Sequence, residues 1–85
     1  MKELSIQAFP EGGALIDGMV SILGVKMERE GKGIEGEIEV YQDGESINSF
    51  DTNEFGFGKF VLKPDYGSKY ELMYEGRKFS LPEIQ

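Results

Sequence analysis

The sequence predicts an all-β fold, an antiparallel two-sheet sandwich of about seven strands, and three observations predict it. Apolar and polar residues alternate with period two through several short runs, most clearly in Ile34-Glu35-Gly36-Glu37-Ile38-Glu39-Val40-Tyr41-Gln42. A helix fails there, because at 100° per residue Ile38 and Val40 would lie on opposite sides, whereas a strand places them together. Glycine, present 12 times, falls singly or in pairs between such runs, where a chain turning back needs positive φ.

Taken in order, Leu4-Ser5-Ile6-Gln7-Ala8-Phe9 alternates as a first strand, and Pro10 with Gly12 and Gly13 ends it. The pair Leu15-Ile16 and the turn signal Asp17-Gly18 follow. Met19 to Glu28 is dense in Val, Ile, Leu and Met and too short for a helix, so it reads as a largely buried strand. The run from Ile34 to Gln42 packs Ile34, Ile38 and Val40 on one face and wets Glu35, Glu37 and Glu39 on the other. Asp43-Gly44 is the strongest hairpin signal and leads into Ile47-Asn48-Ser49-Phe50. The Ile47 to Phe50 spacing breaks period two, so the strand either bulges or ends early. Asp51-Thr52-Asn53-Glu54 is a polar turn. Phe55 to Leu62 enters the next strand with Phe60 and Leu62 on one face, and Pro64 closes it. Tyr70, Leu72 and Tyr74 share a face, and Glu75-Gly76 turns into Arg77-Lys78-Phe79-Ser80-Leu81, which Pro82 ends.

Eighty-five residues suit one domain, residues 1–85, with no room for a second core or a large enzyme cleft. Met1 and Lys2 lead directly into the first strand, as they would if one domain were cut from a longer protein. The composition, 39% hydrophobic and 12% aromatic, supports folding. There is no His, Cys or Trp. A Ser-His-Asp triad, a Cys nucleophile, a zinc finger, an iron–sulfur cluster, a disulfide and the usual haem ligands are therefore excluded. The net charge of −7 argues against nucleic acid or an anionic membrane as the main partner. No apolar run approaches the length of a membrane-spanning helix, so direct membrane insertion is not expected. The expectation is a module with no catalytic, cofactor-binding or metal-binding residues.

Each candidate motif has a plain structural reading beside a functional one. Gly56-Phe57-Gly58 is a fragment of a phosphate loop, but it opens a strand, and its glycines fit a turn or close packing. Gly31-Lys32-Gly33 reads as a flexible turn. The serines have no His to take a proton, and Glu35, Glu37 and Glu39 read as a solvated strand face. Asp51 and Asn53 look like the start of a calcium loop, but Phe55 stands at its fifth position, so their side chains are expected to bond their own turn. Most aromatics fall on the inward period; Tyr41, Phe57 and Tyr66 are the best candidates for an exposed sugar-stacking platform. A carbohydrate- or calcium-binding module using these residues, or Asp51 and Asn53, is the alternative to a structural one.

Phe9-Pro10-Glu11-Gly12-Gly13, the apolar strand through Val25-Lys26, Gly33-Ile34-Glu35-Gly36, Phe50-Asp51-Thr52, Gly56-Phe57-Gly58-Lys59-Phe60 and Pro64-Asp65-Tyr66-Gly67-Ser68-Lys69-Tyr70 follow one another in order. This succession resembles the macroglobulin-like, immunoglobulin-type β-sandwich domains of large envelope proteins of Bacteroidetes-type bacteria. The match runs from about residue 4 to residue 81, with Phe57 where Met is common and Val25 where an aromatic is common. The resemblance implies a non-enzymatic spacer or protein-interaction domain without cofactors, beside sibling domains in a secreted, periplasmic or outer-membrane-anchored protein. It also implies that Phe9, Pro10, Glu11, Gly12, Gly13, Gly56, Gly58, Phe60 and Tyr70 form a structural motif that sets turns and plugs the sandwich.

Overall fold

The computed structural model describes residues 3–85; the Met1-Lys2 start lies outside the described residues. These form eight strands and no helix: β1 (Leu4–Pro10), β2 (Ser21–Arg29), β3 (Lys32–Gly33), β4 (Glu37–Gln42), β5 (Glu45–Asp51), β6 (Phe57–Leu62), β7 (Tyr70–Tyr74) and β8 (Arg77–Ser80). The first sheet pairs β2 with β1 along one edge and with β6 and the two-residue β3 along the other. The second runs in the order β5-β4-β7-β8, and every strand pairing in both sheets is antiparallel. The extra strand relative to the sequence expectation is β3. Its two residues pair with Arg29 and Glu28, and the run read as starting at Ile34 joins the second sheet only from Glu37.

The two sheets close on one core. Leu4, Ile6, Leu23, Val25, Met27, Phe60 and Leu62 come from the first sheet, and Ile38, Val40, Tyr70 and Leu72 from the second. Phe50 of β5 and Phe60 of β6 stack across the gap with ring centroids 4.9 Å apart, within the range favoured for offset aromatic pairs. β2 is not buried along its whole length, as its apolar density suggested. Leu23, Val25 and Met27 face the core while Ile22, Gly24 and Lys26 alternate outward, and Met19 and Val20 lie outside the strand, exposed. The density arises because both faces of β2 carry apolar residues.

The β4–β5 hairpin turns at Asp43-Gly44, both in the left-handed region with φ of 51° and 87°, as a two-residue type I′ connection requires. The broken period of β5 is a bulge. Val40 pairs with Asn48 but Tyr41 pairs with Ser46, so Ile47 is the unmatched residue.

The chain passes between the sheets three times, and the first two of these links meet. Residues 34–36 carry it from the first sheet to the second, and residues 52–56 carry it back. Thr52, only 2% exposed, joins them. Its hydroxyl donates to the Ile34 carbonyl at 2.8 Å and accepts from the Gly36 N–H at 2.9 Å, while its own N–H donates to the Gly36 carbonyl at 2.9 Å. Beside it, Gly33 and Gly56 let the two backbones touch. A Cβ on Gly33 would stand 1.9 Å from the Phe55 carbonyl oxygen, and one on Gly56 2.3 Å from that of Met27.

Replacing Thr52 by Val keeps the volume and removes the hydroxyl, leaving buried backbone groups without a partner, so a loss of about 2 kcal/mol in urea unfolding is expected. Gly33→Ala forces backbone against backbone and is expected to cost more, about 3 kcal/mol. An unchanged denaturation midpoint for either variant would contradict this account of the junction.

Candidate functional site

The outer face of the first sheet is unusually apolar. On β1, β2 and β6 the residues alternating away from the core include Phe9, Ile22, Phe57 and Val61, all exposed. Register brings them together. Phe9 pairs with Gly24, which pairs with Lys59, while Ile22 pairs with Val61 and Lys26 with Phe57. Gly24 has no side chain to stand between the two phenylalanines. The result is a groove of about 410 Å³ bounded by Phe9, Phe57, Lys59 and Asn53 over the backbone of Gly24 and Gly58. A Cβ at Gly24 would meet nothing closer than the Phe9 carbonyl oxygen at 3.9 Å, so neither strain nor close packing dictates glycine there. Two lysines border the groove. The Lys26 ammonium lies 5.0 Å from the centroid of the Phe57 ring and 3.6 Å from the Glu28 carboxylate. Lys59 reaches the Glu11 carboxylate at 3.9 Å.

The opposite face differs in kind. Outward positions of the second sheet hold Glu37, Glu39 and Tyr41 on β4, Asp51 on β5 and Glu71 on β7, with Lys78 on β8 as a counter-charge. With Glu37, Glu39 and Tyr41 outward, β4 packs that side on no core, while the neighbouring Glu71 side chain is largely covered, with the Lys69 ammonium 4.0 Å away.

The structure does not bring the sequence-predicted ligand residues together. Tyr41 is half-buried on the acidic face, Phe57 stands on the apolar face, and Tyr66, 70% exposed, lies in the β6–β7 loop. Asn53 bonds its own turn as expected. Its side-chain oxygen accepts the N–H groups of Phe55 and Phe57 at 2.9 and 3.1 Å. Asp51 closes β5 with its side chain exposed. Among the described residues no group of three or more acidic side chains converges as a cation site.

The motif residues divide into two sets. Pro10 to Gly13 form the turn after β1: Gly12 and Gly13 have φ of 97° and 92°, the Gly13 N–H donates to the Pro10 carbonyl, and the Glu11 N–H donates to that of Ile22. Phe60 and Tyr70 are buried, and the Tyr70 hydroxyl accepts the Asp65 N–H at 2.9 Å. Gly58 lies under the Phe50 ring, 3.0 Å from where its Cβ would be. Phe9 departs from its expected role. It does not plug the sandwich but lies 54% exposed on the outer face, because Leu4, Ile6 and Ala8 take the inward phase of β1. Phe55, Phe57 and Tyr66 are exposed as well, as expected of Phe57 and Tyr66, while Phe50, Tyr74 and Phe79 pack against the core beside the buried Phe60 and Tyr70, so half of the ten aromatics, rather than most, point inward.

Sequence reasoning passed over Gly24, Ile22 and Val61. The available signal was a glycine in the middle of an apolar strand, which marks either a bulge or a place where something else approaches the backbone. No described helix is long and apolar enough to cross a membrane. Comparison of the chain with protein-family models, with curated proteins and with solved structures finds no match.

Proposed function

We propose that this chain is a non-catalytic contact module, an immunoglobulin-like, macroglobulin-like sandwich that spaces neighbouring domains and docks protein surface within a larger bacterial envelope protein. The observation that carries the reading is the apolar outer face of the first sheet. Contiguous exposed apolar patches on soluble domains mark contact sites, and here Phe9 and Phe57 frame an apolar groove of about 410 Å³. Such rigid aromatics supply contact area at little entropic cost. The absence of His and Cys suits a task of contact. Two further features support the finer fold assignment. The Tyr70 hydroxyl reaches back to the backbone five residues upstream, as the tyrosine corner of immunoglobulin-type sandwiches does. The ordered motifs from Phe9-Pro10-Glu11-Gly12-Gly13 to Tyr70 resemble the macroglobulin-like pattern.

Hydroxyl-radical footprinting tests the reading. Phe9 and Phe57 are expected to oxidise readily in the 85-residue chain and to be protected in the longer protein that carries it. Equal oxidation in both would overturn the proposal, and a melting temperature raised several degrees by calcium or a glycan would replace it with a ligand-binding module. Gly24→Val fills the groove at a position with room for a side chain. It is expected to leave the chain as stable or up to about 1 kcal/mol more so, while abolishing the protection of Phe9 and Phe57.

A further inference from the structure

We propose that the free edge of β1 is a self-association site, at which two copies of the chain pair β1 with β1 antiparallel about a two-fold axis through Ile6. This goes beyond the contact role of the outer face, since it uses the strand edge and names a second copy as occupant.

Backbone geometry defines the edge. The Glu30 N–H donates to the Glu3 carbonyl and the Glu11 N–H donates to that of Ile22. In an antiparallel ladder the bonded pairs alternate, so Ser5, Gln7 and Phe9 direct their backbone groups at β2. Leu4, Ile6 and Ala8 direct theirs the other way. No described backbone or side-chain group bonds them there, because β1 pairs with β2 alone. They form an open row of donors and acceptors that only another extended chain satisfies in sequence.

Charge limits where a second copy can meet the first. Each copy carries −7, so two copies repel unless they meet where charge is missing. The other edge strands are guarded: β5 begins at Glu45, ends at Asp51 and bulges at Ile47, β6 contains Lys59, and the four-residue β8 contains Arg77 and Lys78. From Leu4 to Pro10, β1 has no charged residue and no bulge. Apart from Pro10 at its end, it lacks the devices by which edges ordinarily discourage pairing.

The register follows from the same alternation. With Ile6 on the axis, Ile6 faces Ile6 and Leu4 faces Ala8, so all three outward residues engage and each pair closes two hydrogen bonds. Shifting the axis by one residue leaves one of the three unmatched or sets it against Pro10, which has no N–H. The two first sheets then join into one continuous sheet, and on its outer face Ser5 of one copy stands opposite Gln7 of the other.

That last pairing provides the test. Within one chain Ser5 pairs with Glu28 and Gln7 with Lys26. The double variant S5K/Q7E therefore suits the monomer and places opposite charges across the two-fold axis, whereas S5K/Q7K places like charges there. Sedimentation equilibrium from micromolar to millimolar chain is expected to show a reversible dimer, retained in S5K/Q7E and weakened about tenfold in S5K/Q7K. Amide exchange on the wild-type chain gives a second readout that does not depend on any variant folding: the Leu4, Ile6 and Ala8 amides should become protected as concentration rises. A monomer throughout the range overturns the proposal. So does a dimer indifferent to the two variants, or one lost in Gly24→Val and kept in S5K/Q7K, since either places the contact elsewhere than the β1 edge.

Discussion

The fold depends on the point where two of its three sheet-to-sheet links touch. A two-sheet body built from short strands must send its chain across the core edge more than once, and each crossing strips backbone groups of their ladder partners. Here the first two of the three crossings share one solution. Thr52 satisfies the carbonyl of Ile34 and the N–H of Gly36, while the Met27 N–H donates to the Gly56 carbonyl and the Ile34 N–H donates to that of Met27. The links lie close enough to do this because Gly33 and Gly56 present no Cβ to each other. Phe50, two residues before Thr52, then lies against Phe60, so the hydrogen-bonded junction also sets the packing of the core beside it.

With that junction fixed, the two outer faces are free to differ, and they do. The face built on β4 and β7 spends its outward positions on carboxylates, as a wet antiparallel sheet ordinarily does. The face built on β1, β2 and β6 keeps apolar residues outside as well as inside. A chain this small has little apolar surface to spare for its core, so leaving Phe9, Ile22, Phe57 and Val61 in water has an energetic cost that stability alone does not explain. That asymmetry is the strongest link between the packing and a role in contact.

Much of the architecture was legible because it is written locally. Asp43-Gly44 needs only its two residues to declare a hairpin, and the misfit between Ile47 and Phe50 admits a bulge or an early strand end, of which the bulge forms. Less legible was the phase of a strand with apolar residues on both sides. Periodicity says that Phe9 and Ala8 point oppositely, not which of them faces the core; that is decided by Leu4 and Ile6 meeting the second sheet. Thr52 was hidden for a related reason. A polar residue in a polar turn gives no sign that its turn is pressed against another crossing, distant in sequence but adjacent in space. Leu15 and Ile84, nearly the whole chain apart, form a parallel bridge for which no short-range signal exists.

That bridge has a mechanical consequence. The Gln85 N–H donates to the Leu15 carbonyl and the Asp17 N–H donates to that of Gln85, which fixes the tail near Pro64, at the end of the body where β1 finishes. Glu3 lies at the other end, beside Glu30. Tension applied between Glu3 and Gln85 therefore runs along the strands. At the β1 end it loads the whole β1–β2 ladder at once in shear, whereas at the tail it meets the few bonds around Leu15 and the packing of Leu81 and Ile84. The tail would peel first, so a pulled chain would lengthen by a few residues before its strand ladders parted.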